Sequence, residues 1–261
     1  KKRKLMIEVI NDLLGYDGLK IIQRPDIFNF SLDSTLLAHF VSINKSDKKI
    51  IDLGTGNAPI PIFLTLRTKA HIYGIEIQEE IYDLAKRSVE LNNLEEQITI
   101  LNEDARTIHQ KLGVSSFDVV TVNPPYFPYQ ENSNINKNDY LTIARHEVCF
   151  NLDEVLQTSR RLLKDGGTLA MVHRAERMVD ILDAFRKYQI EPKRIRFVYP
   201  KQNSVEALAI LIEGKKQGKR GSLKVLKPLY VYNNQGKYTK EILSIFNYQG
   251  KEYETSKNIS K

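Results

Sequence analysis

Short apolar runs alternate with amphipathic stretches over most of the chain, which predicts alternating strands and helices. Strands are predicted at 49–53, 71–77, 98–101, 117–122 and 168–172, and helices at 60–66, 78–93, 151–165 and 175–188. Two further strands, 194–199 and 205–212, have only a short link between them and are expected to be antiparallel. Repeated strand–helix units of this kind are typical of a Rossmann-like, doubly wound α/β sheet.

The pattern also suggests how the chain is organised around that sheet. Helical periodicity at Leu5–Leu14 and at Leu32–Val41, with no flexible linker after it, predicts that residues 1–46 form a short helical cap on the core. The core is expected to span residues 47–213, and residues 214–261 to form a basic extension and tail. The polar, Asn-rich residues 128–142 are predicted to be a long loop, which is usually functional or disordered.

Composition narrows the class of protein. The 261 residues are 41% hydrophobic and 27% charged, as in an ordinary globular protein. No apolar run reaches the ~18–20 residues that cross a bilayer, and no secretory signal is visible. One cysteine, Cys149, excludes an internal disulfide framework, and the five histidines lack metal-site spacing. We therefore expect a cytoplasmic protein with no membrane partner and no metal, either a monomer or a weak dimer.

Positive charge is concentrated in two places. The chain carries a formal charge of +7, yet residues 214–240 alone hold eight lysines and arginines and no acid, and residues 1–4 are all basic. The remainder is slightly acidic. Such asymmetry suggests a polyanionic partner, namely a nucleic acid. The alternative is a solvated segment that lysines keep soluble.

The first candidate for chemistry is a glycine turn after the first predicted core strand. Residues 52–57 read Asp-Leu-Gly-Thr-Gly-Asn, and Gly-x-Gly lets the backbone approach a ligand closely. Glu76 ends the next strand, where an acid can hydrogen-bond ribose hydroxyls. Pro59 stands where a dinucleotide site has its third glycine, so S-adenosylmethionine, which has no pyrophosphate, fits better than a flavin or nicotinamide, although neither is excluded. Asp104, after the third strand, could accept from an adenine amine or could cap a helix.

The most specific feature follows the fourth predicted strand. Residues 123–127 read Asn-Pro-Pro-Tyr-Phe. A conjugated exocyclic amine is a poor nucleophile, and its methylation needs acceptors, such as the Asn123 side-chain oxygen and the Pro124 carbonyl, that hold the NH₂ group. The prolines add no competing N–H donor, and an aromatic side chain of Tyr126 or Phe127 can stack on a planar base. The alternative is an ordinary Asn-Pro turn.

The sequence resembles class I S-adenosylmethionine-dependent methyltransferases with an Asn-Pro-Pro-Tyr motif. Among these it is similar over roughly residues 5–245 to the tRNA adenine-N6-methyltransferases that modify adenine 37 of a valine tRNA, especially a Gram-positive-like branch with a basic C-terminal extension. The matching stretches are Phe-Asn-Phe-Ser-Leu-Asp-Ser at 28–34 with leucines at 36 and 37, Asp-Leu-Gly-Thr-Gly at 52–56, Asn-Pro-Pro-Tyr-Phe at 123–127, Ala-Arg-His-Glu at 144–147 and Met-Val-His-Arg at 171–174. The resemblance implies a seven-stranded, mostly parallel sheet with a final antiparallel strand.

Together, the motifs and the resemblance give a set of expected site residues. The catalytic residues are expected to be Asn123, Pro124, Pro125 and Tyr126. The cofactor is expected to contact Asp52, Gly54, Thr55, Gly56, Asn57, Glu76, Ile77, Asp104, Ala105 and Asn123, with Phe30 and Asp33 covering it. A tRNA substrate is expected to contact Tyr126, Phe127, Arg145, His173, Arg174, Lys215, Lys216, Lys219 and Arg220.

Three functions of different kinds remain at this point. The leading one is methylation of an adenine N6 amine in tRNA. The Asn-Pro-Pro-Tyr motif also occurs in enzymes that methylate rRNA amino groups or protein glutamine, although glutamine methyltransferases usually carry a larger helical N-terminal domain. A nonenzymatic RNA-binding module on the same fold is the third, and the intact motif argues against it.

Overall fold

The computed structural model describes residues 8–16, 18–25, 32–124 and 150–247. The strands are β1 (Val9–Asp12), β2 (Lys20–Gln23), β3 (Lys49–Leu53), β4 (His71–Glu76), β5 (Ile98–Asn102), β6 (Phe117–Val122), β7 (Leu163–Arg174), β8 (Ile190–Lys201), β9 (Ala209–Lys216), β10 (Lys224–Val225) and β11 (Leu229–Tyr232). The helices are α1 (Leu32–Phe40), α2 (Pro59–Thr65), α3 (Glu79–Leu91), α4 (His109–Leu112), α5 (Leu152–Leu162), α6 (Met178–Lys187) and α7 (Lys240–Ile245), with a 3₁₀ turn at Ala175–Arg177.

Nine of these strands form the central sheet. Its order is β10-β8-β9-β7-β6-β3-β4-β5, and β11 pairs with β8. The five adjacent strands β7, β6, β3, β4 and β5 are parallel to one another. In contrast, β9 is antiparallel to both β7 and β8. The predicted doubly wound, mostly parallel sheet of seven strands is therefore confirmed, and β10 and β11 extend it by two short parallel strands.

Both faces of the sheet are covered, which explains the unbroken apolar runs in the sequence. Ile50 and Val119 pack into the core on one face, with residues of α1, α2, α3 and α7. Ile51 and Val120, the next residues along the same strands, pack into the core on the other face, with residues of α4, α5 and α6. Because β3 to β7 are also parallel to one another, their carboxyl ends, and the loops that follow them, lie at one edge of the sheet.

The predicted helix at Leu5–Leu14 is wrong. In the described part of that segment β1 pairs with β2 as an antiparallel hairpin. Its turn contains left-handed backbone at Leu14 and at Gly18, with φ of 57° and 84°. The hairpin buries Leu13 and Ile21 against the core. Cross-strand pairing and this burial outweigh the weak helical periodicity of a short segment. The second predicted helix of the cap is confirmed as α1.

The capping signal at Asn151 is confirmed. The Asn151 side chain accepts from the Glu154 backbone N–H at 3.0 Å, and the Glu154 carboxylate accepts from the Asn151 N–H at 2.9 Å. This reciprocal capping starts α5 at the edge of the sheet where the strands end.

The basic extension is built into the core rather than hanging from it. The predicted boundary at 213/214 falls within β9. Beyond it, the side chains of Leu229, Val231 and Ile242 are at most 2% exposed. The predicted loop at 128–142 and the last residues, from 248 onward, lie outside the described residues.

Candidate active site

The glycine turn is positioned by a buried carboxylate. Gly54 and Gly56 adopt left-handed backbone, with φ of 66° and 58°, and so allow the tight bend after β3. Thr55 between them donates its backbone N–H to the Ile75 carbonyl at 2.9 Å and its hydroxyl to Asp52 at 2.7 Å. The turn is thereby tied to both β3 and β4.

Asp52 also reaches the next strand. Its second oxygen accepts from the Thr121 hydroxyl at 2.7 Å, and Thr121 lies on β6 two residues before Asn123. Burial raises the pKa of Asp52 to about 7, against the lowering effect of the two hydroxyl donors. Its role in this structure is therefore to join the glycine turn to the strand that carries Asn123.

Glu76 faces the glycine turn from the end of β4. Its two carboxylate oxygens accept the backbone N–H of Gly56 at 3.1 Å and of Gln78 at 2.9 Å. Glu76 is 6% exposed, and burial raises its pKa to about 7 although backbone N–H groups lower it. A buried carboxylate at this point can accept hydrogen bonds from ligand hydroxyls.

Asn57 connects the turn to the N-terminal hairpin. It is fully buried, and its Nδ2 donates to the Ile22 carbonyl at 2.8 Å. Its Oδ1 is a buried acceptor with no hydrogen-bond partner among the described residues. An unsatisfied buried acceptor costs free energy, so a hydrogen-bond donor brought to this oxygen would be favourable. Ala58 then turns the chain into α2 with a φ of 70°.

The loop after β5 brings further predicted residues to the same edge. Asp104 accepts from the Arg106 guanidinium, with Nη2 2.6 Å from one carboxylate oxygen and Nε 3.0 Å from each of the two. This ion pair lowers the pKa of Asp104. Ala105 is nearly buried, while the side chain of Ile77 is 46% exposed. The Asn102 amide donates to the Ile77 carbonyl at 3.1 Å, which holds the backbone of Ile77 next to Glu76.

Asn123, which follows the end of β6, is hydrogen-bonded to a residue of α1. Its Nδ2 donates to the Ser34 hydroxyl at 3.1 Å, and Ser34 is 5% exposed. Asp33 precedes Ser34 in the first turn of α1. Because Nδ2 is turned toward Ser34, Oδ1 lies on the other side of the amide group. Pro124 follows, whereas Phe30, Pro125, Tyr126, Phe127 and Arg145 lie outside the described residues.

The remaining predicted substrate residues fall into two groups. His173 and Arg174 end β7, on the same edge as the glycine turn; His173 is fully buried and its Nδ1 accepts from the Arg174 backbone N–H at 2.8 Å. The four basic residues 215, 216, 219 and 220 lie at the opposite edge, because β9 runs antiparallel to β7 and the turn after it leads to the start of β8. Lys216 is 6% exposed and donates to the Leu163 carbonyl at 2.8 Å.

Two site residues, Ser34 and Thr121, were not predicted from the sequence. Thr121 interrupts the apolar run of β6 with a hydroxyl. That interruption is the one signal that could have pointed to it, but threonine is also common in strands for its shape alone. Ser34 belongs to the motif at 28–34, yet nothing in that motif indicates a contact with residue 123.

The described ranges contain no helix long and apolar enough to span a membrane. Within the same ranges, no group of three or more His, Cys, Asp or Glu side chains could hold a metal ion.

Known proteins share both the sequence pattern and the fold of this chain. A protein-family model described as a methyltransferase domain matches residues 44–248. The tRNA1(Val) (adenine(37)-N6)-methyltransferase of Flavobacterium psychrophilum is 23% identical over 227 residues, which cover 85% of this chain and 95% of the relative. A protein named as an N5-glutamine methyltransferase from Methanocaldococcus jannaschii is 26% identical over 166 residues, or 61% of this chain and 78% of the relative.

Solved structures show the same architecture. A protein described as an O-methyltransferase from Agrobacterium tumefaciens superposes with a TM-score of 0.66 at 22% identity, covering 83% of this chain and 96% of that one. At this identity the likeness establishes the fold of the sheet and its helices.

Proposed function

Because the chain belongs to the methyltransferase-domain family, we propose that it transfers a methyl group from S-adenosylmethionine to the N6 amine of an adenine in tRNA. Adenine 37, beside the anticodon, is the expected position, since that is the base named for the relative that aligns over most of both chains. The proposal depends most on one structural feature, the Asn123 amide that Ser34 orients at the end of β6.

The residues at the carboxyl edge suit this cofactor chemically. When bound, S-adenosylmethionine supplies an electrophilic methyl group on a sulfonium. We propose that Glu76 accepts from the ribose hydroxyls, that Ile77 and Ala105 provide apolar surface for the adenine, and that Asp104 accepts from its amine. The buried, unpartnered Oδ1 of Asn57 and the left-handed glycines of the turn add an acceptor and a close backbone approach.

Asn123 and Pro124 are proposed to act on the target base. The amine lone pair is delocalised into the adenine ring, so the base reacts only if hydrogen-bond acceptors favour charge on nitrogen. The Asn123 Oδ1 and the Pro124 carbonyl are the acceptors we assign. Their alignment supplies catalysis mainly by positioning, and the extra proton on the product amine can leave to solvent, so no general base is assigned.

Nucleoside mass spectrometry tests the proposed function directly. An unmodified valine tRNA transcript incubated with the protein and the cofactor should gain one N6-methyladenosine, and the same transcript with guanine at position 37 should gain none. Methyl transfer to both transcripts alike would move the target elsewhere in the tRNA.

A second part of the experiment distinguishes tRNA methylation from protein glutamine methylation, the alternative suggested by the glutamine methyltransferase relative. Incubation with cell protein instead of tRNA should yield no methylated glutamine. Methyl groups found only in protein, with both transcripts unmodified, would replace the proposal with that alternative.

A further inference from the structure

A cluster of aromatic residues lies at the carboxyl edge of the sheet, some distance from the assigned site. β8 is parallel to β7, since both are antiparallel to β9, so β8 ends at the edge where Asn123 lies. β11 pairs with β8 in parallel and places Tyr230 opposite Tyr199. The two rings lie 5.7 Å apart between centroids, tilted by 40°, and both side chains are only half-buried.

The segment after β11 is ordered at the same edge. Asn233 accepts the backbone N–H groups of Gln235 and Lys237 at 2.9 and 3.1 Å, which closes a turn. Tyr232 and Tyr238, on either side of this turn, stack with 5.0 Å between ring centroids and 18° between planes. The extension therefore has a defined conformation, with a hydrogen-bonded turn and stacked rings, where it reaches the edge of the sheet at which Asn123 lies.

Charge around these rings is mainly positive. Lys201, which is exposed, lies in register with Tyr232, and Lys237 lies exposed in the turn. Glu206 is an exposed carboxylate in the loop after β8, whereas the Glu241 carboxylate is paired with Arg196 at 2.6 Å. The loop after β8 also exposes apolar surface, with Val205 94% exposed. Half-buried aromatic rings beside lysines suit bases and phosphates of a single-stranded nucleic acid.

The position of this cluster relative to Asn123 follows from the sheet. Four strand spacings separate β6 from β11 by way of β7, β9 and β8, which is about 19 Å at ~4.8 Å per spacing. Residues 219 and 220, by contrast, lie at the opposite edge of the sheet. An RNA with one base at Asn123 can therefore reach the aromatic cluster along a single edge, whereas it would have to extend around the sheet to reach those two residues.

We propose that Tyr199 and Tyr230, with Lys201 and Lys237, form a second RNA-contact surface. This inference rests on the proposed function. The pair of rings stacks on an unpaired base of the substrate tRNA, and the two lysines contact neighbouring phosphates. In this proposal the basic extension binds RNA through residues 229–238. Residues 215–220, where the positive charge of the sequence is most concentrated, do not contact the RNA.

Equilibrium binding of a valine tRNA transcript, measured by fluorescence anisotropy at several salt concentrations, tests this surface. Tyr230→Leu should weaken binding by about 5- to 150-fold, the range expected when one base is no longer stacked, and Tyr230→Phe should retain wild-type affinity. Lys201→Ala with Lys237→Ala should reduce the salt slope by roughly 0.7–0.9 for each phosphate that the variant no longer neutralises. The matched control, Lys219→Ala with Arg220→Ala, removes the same charge at the opposite edge and should change neither quantity.

Cofactor affinity and thermal unfolding of each variant show whether the core is intact. Wild-type tRNA affinity in a folded Tyr230→Leu protein, or an equal reduction of the salt dependence in the control pair, would overturn the inference. Methylation by the wild-type protein is measured in parallel: if it occurs and the Tyr230 variants bind alike, only this inference fails. If the wild-type protein neither binds nor methylates tRNA, the proposed function fails as well.

Discussion

Replacing Glu76 with glutamine tests whether this carboxylate binds S-adenosylmethionine. Both carboxylate oxygens accept a backbone N–H, from Gly56 and from Gln78. Glutamine keeps the shape of the side chain but turns one of these acceptors into an NH₂ donor that faces a backbone donor. In the proposed function the carboxylate also accepts from the ribose hydroxyls of the cofactor, and a hydrogen bond to a charged group contributes about 1.5–3 kcal/mol. The Glu76→Gln variant should therefore bind S-adenosylmethionine about 10- to 100-fold more weakly than wild type.

The same substitution should change how binding depends on pH. Burial raises the pKa of Glu76 to about 7, so the wild-type protein loses this carboxylate as the pH falls through neutrality. Cofactor affinity should decrease from about pH 8 to about pH 6 in wild type and much less in the variant, which carries no titrating group at this position. Isothermal titration calorimetry measures both effects, with thermal unfolding as the control for folding. Unchanged affinity near ~pH 8 in a folded variant would remove Glu76 from the cofactor site.

Two further predictions concern Asn123 and the buried carboxylate of Asp52. Asn123→Ala should leave cofactor affinity nearly unchanged and lower kcat by about 10²–10³-fold, because its contact grows in the transition state; wild-type turnover in single-turnover assays would refute the assigned role. Burial raises the pKa of Asp52 to about 7, so the fold favours the protonated form and the free energy of unfolding should fall as pH rises from ~4 to ~7. Asp52→Asn should reduce that fall in denaturant titrations, and the fall that remains is expected from Glu76, whose pKa is also raised to about 7. An identical pH slope in the variant would show that Asp52 does not titrate there.

The core of the fold was predictable because its signals are local. The apolar run of β6 and the amphipathic stretch of α3 each follow one periodicity over enough residues to be unambiguous. The N-terminal hairpin was not predictable in this way, since β1 and β2 have four residues each. A strand that short is stabilised by its partner and by the helix beneath it, neither of which a local pattern shows.

The sequence names a set of candidate site residues, but it does not show the contacts that join them. Sequence placed Asp52 next to the cofactor, whereas the structure shows its two oxygens accepting hydroxyl hydrogen bonds from Thr55 and Thr121. Thr121 is 69 residues further along the chain, and only the pairing of β3 with β6 brings the two together. The direction of β9 likewise decides which part of the basic extension lies at the edge of the sheet where Asn123 is found. The number of charged residues in a segment does not show in which direction its strand runs.

The two short strands on β8 also matter for how the protein is made. β8 has 12 residues, and one of its sides is paired with β9 while β10 and β11 pair with the other. An uncovered strand of that length offers a row of free backbone groups to any other extended chain. During synthesis β8 is complete before its cover exists, because the cover is encoded after it. A chain ending near residue 213 would keep that edge open permanently, so we expect such a truncation to aggregate even though the predicted catalytic core is present.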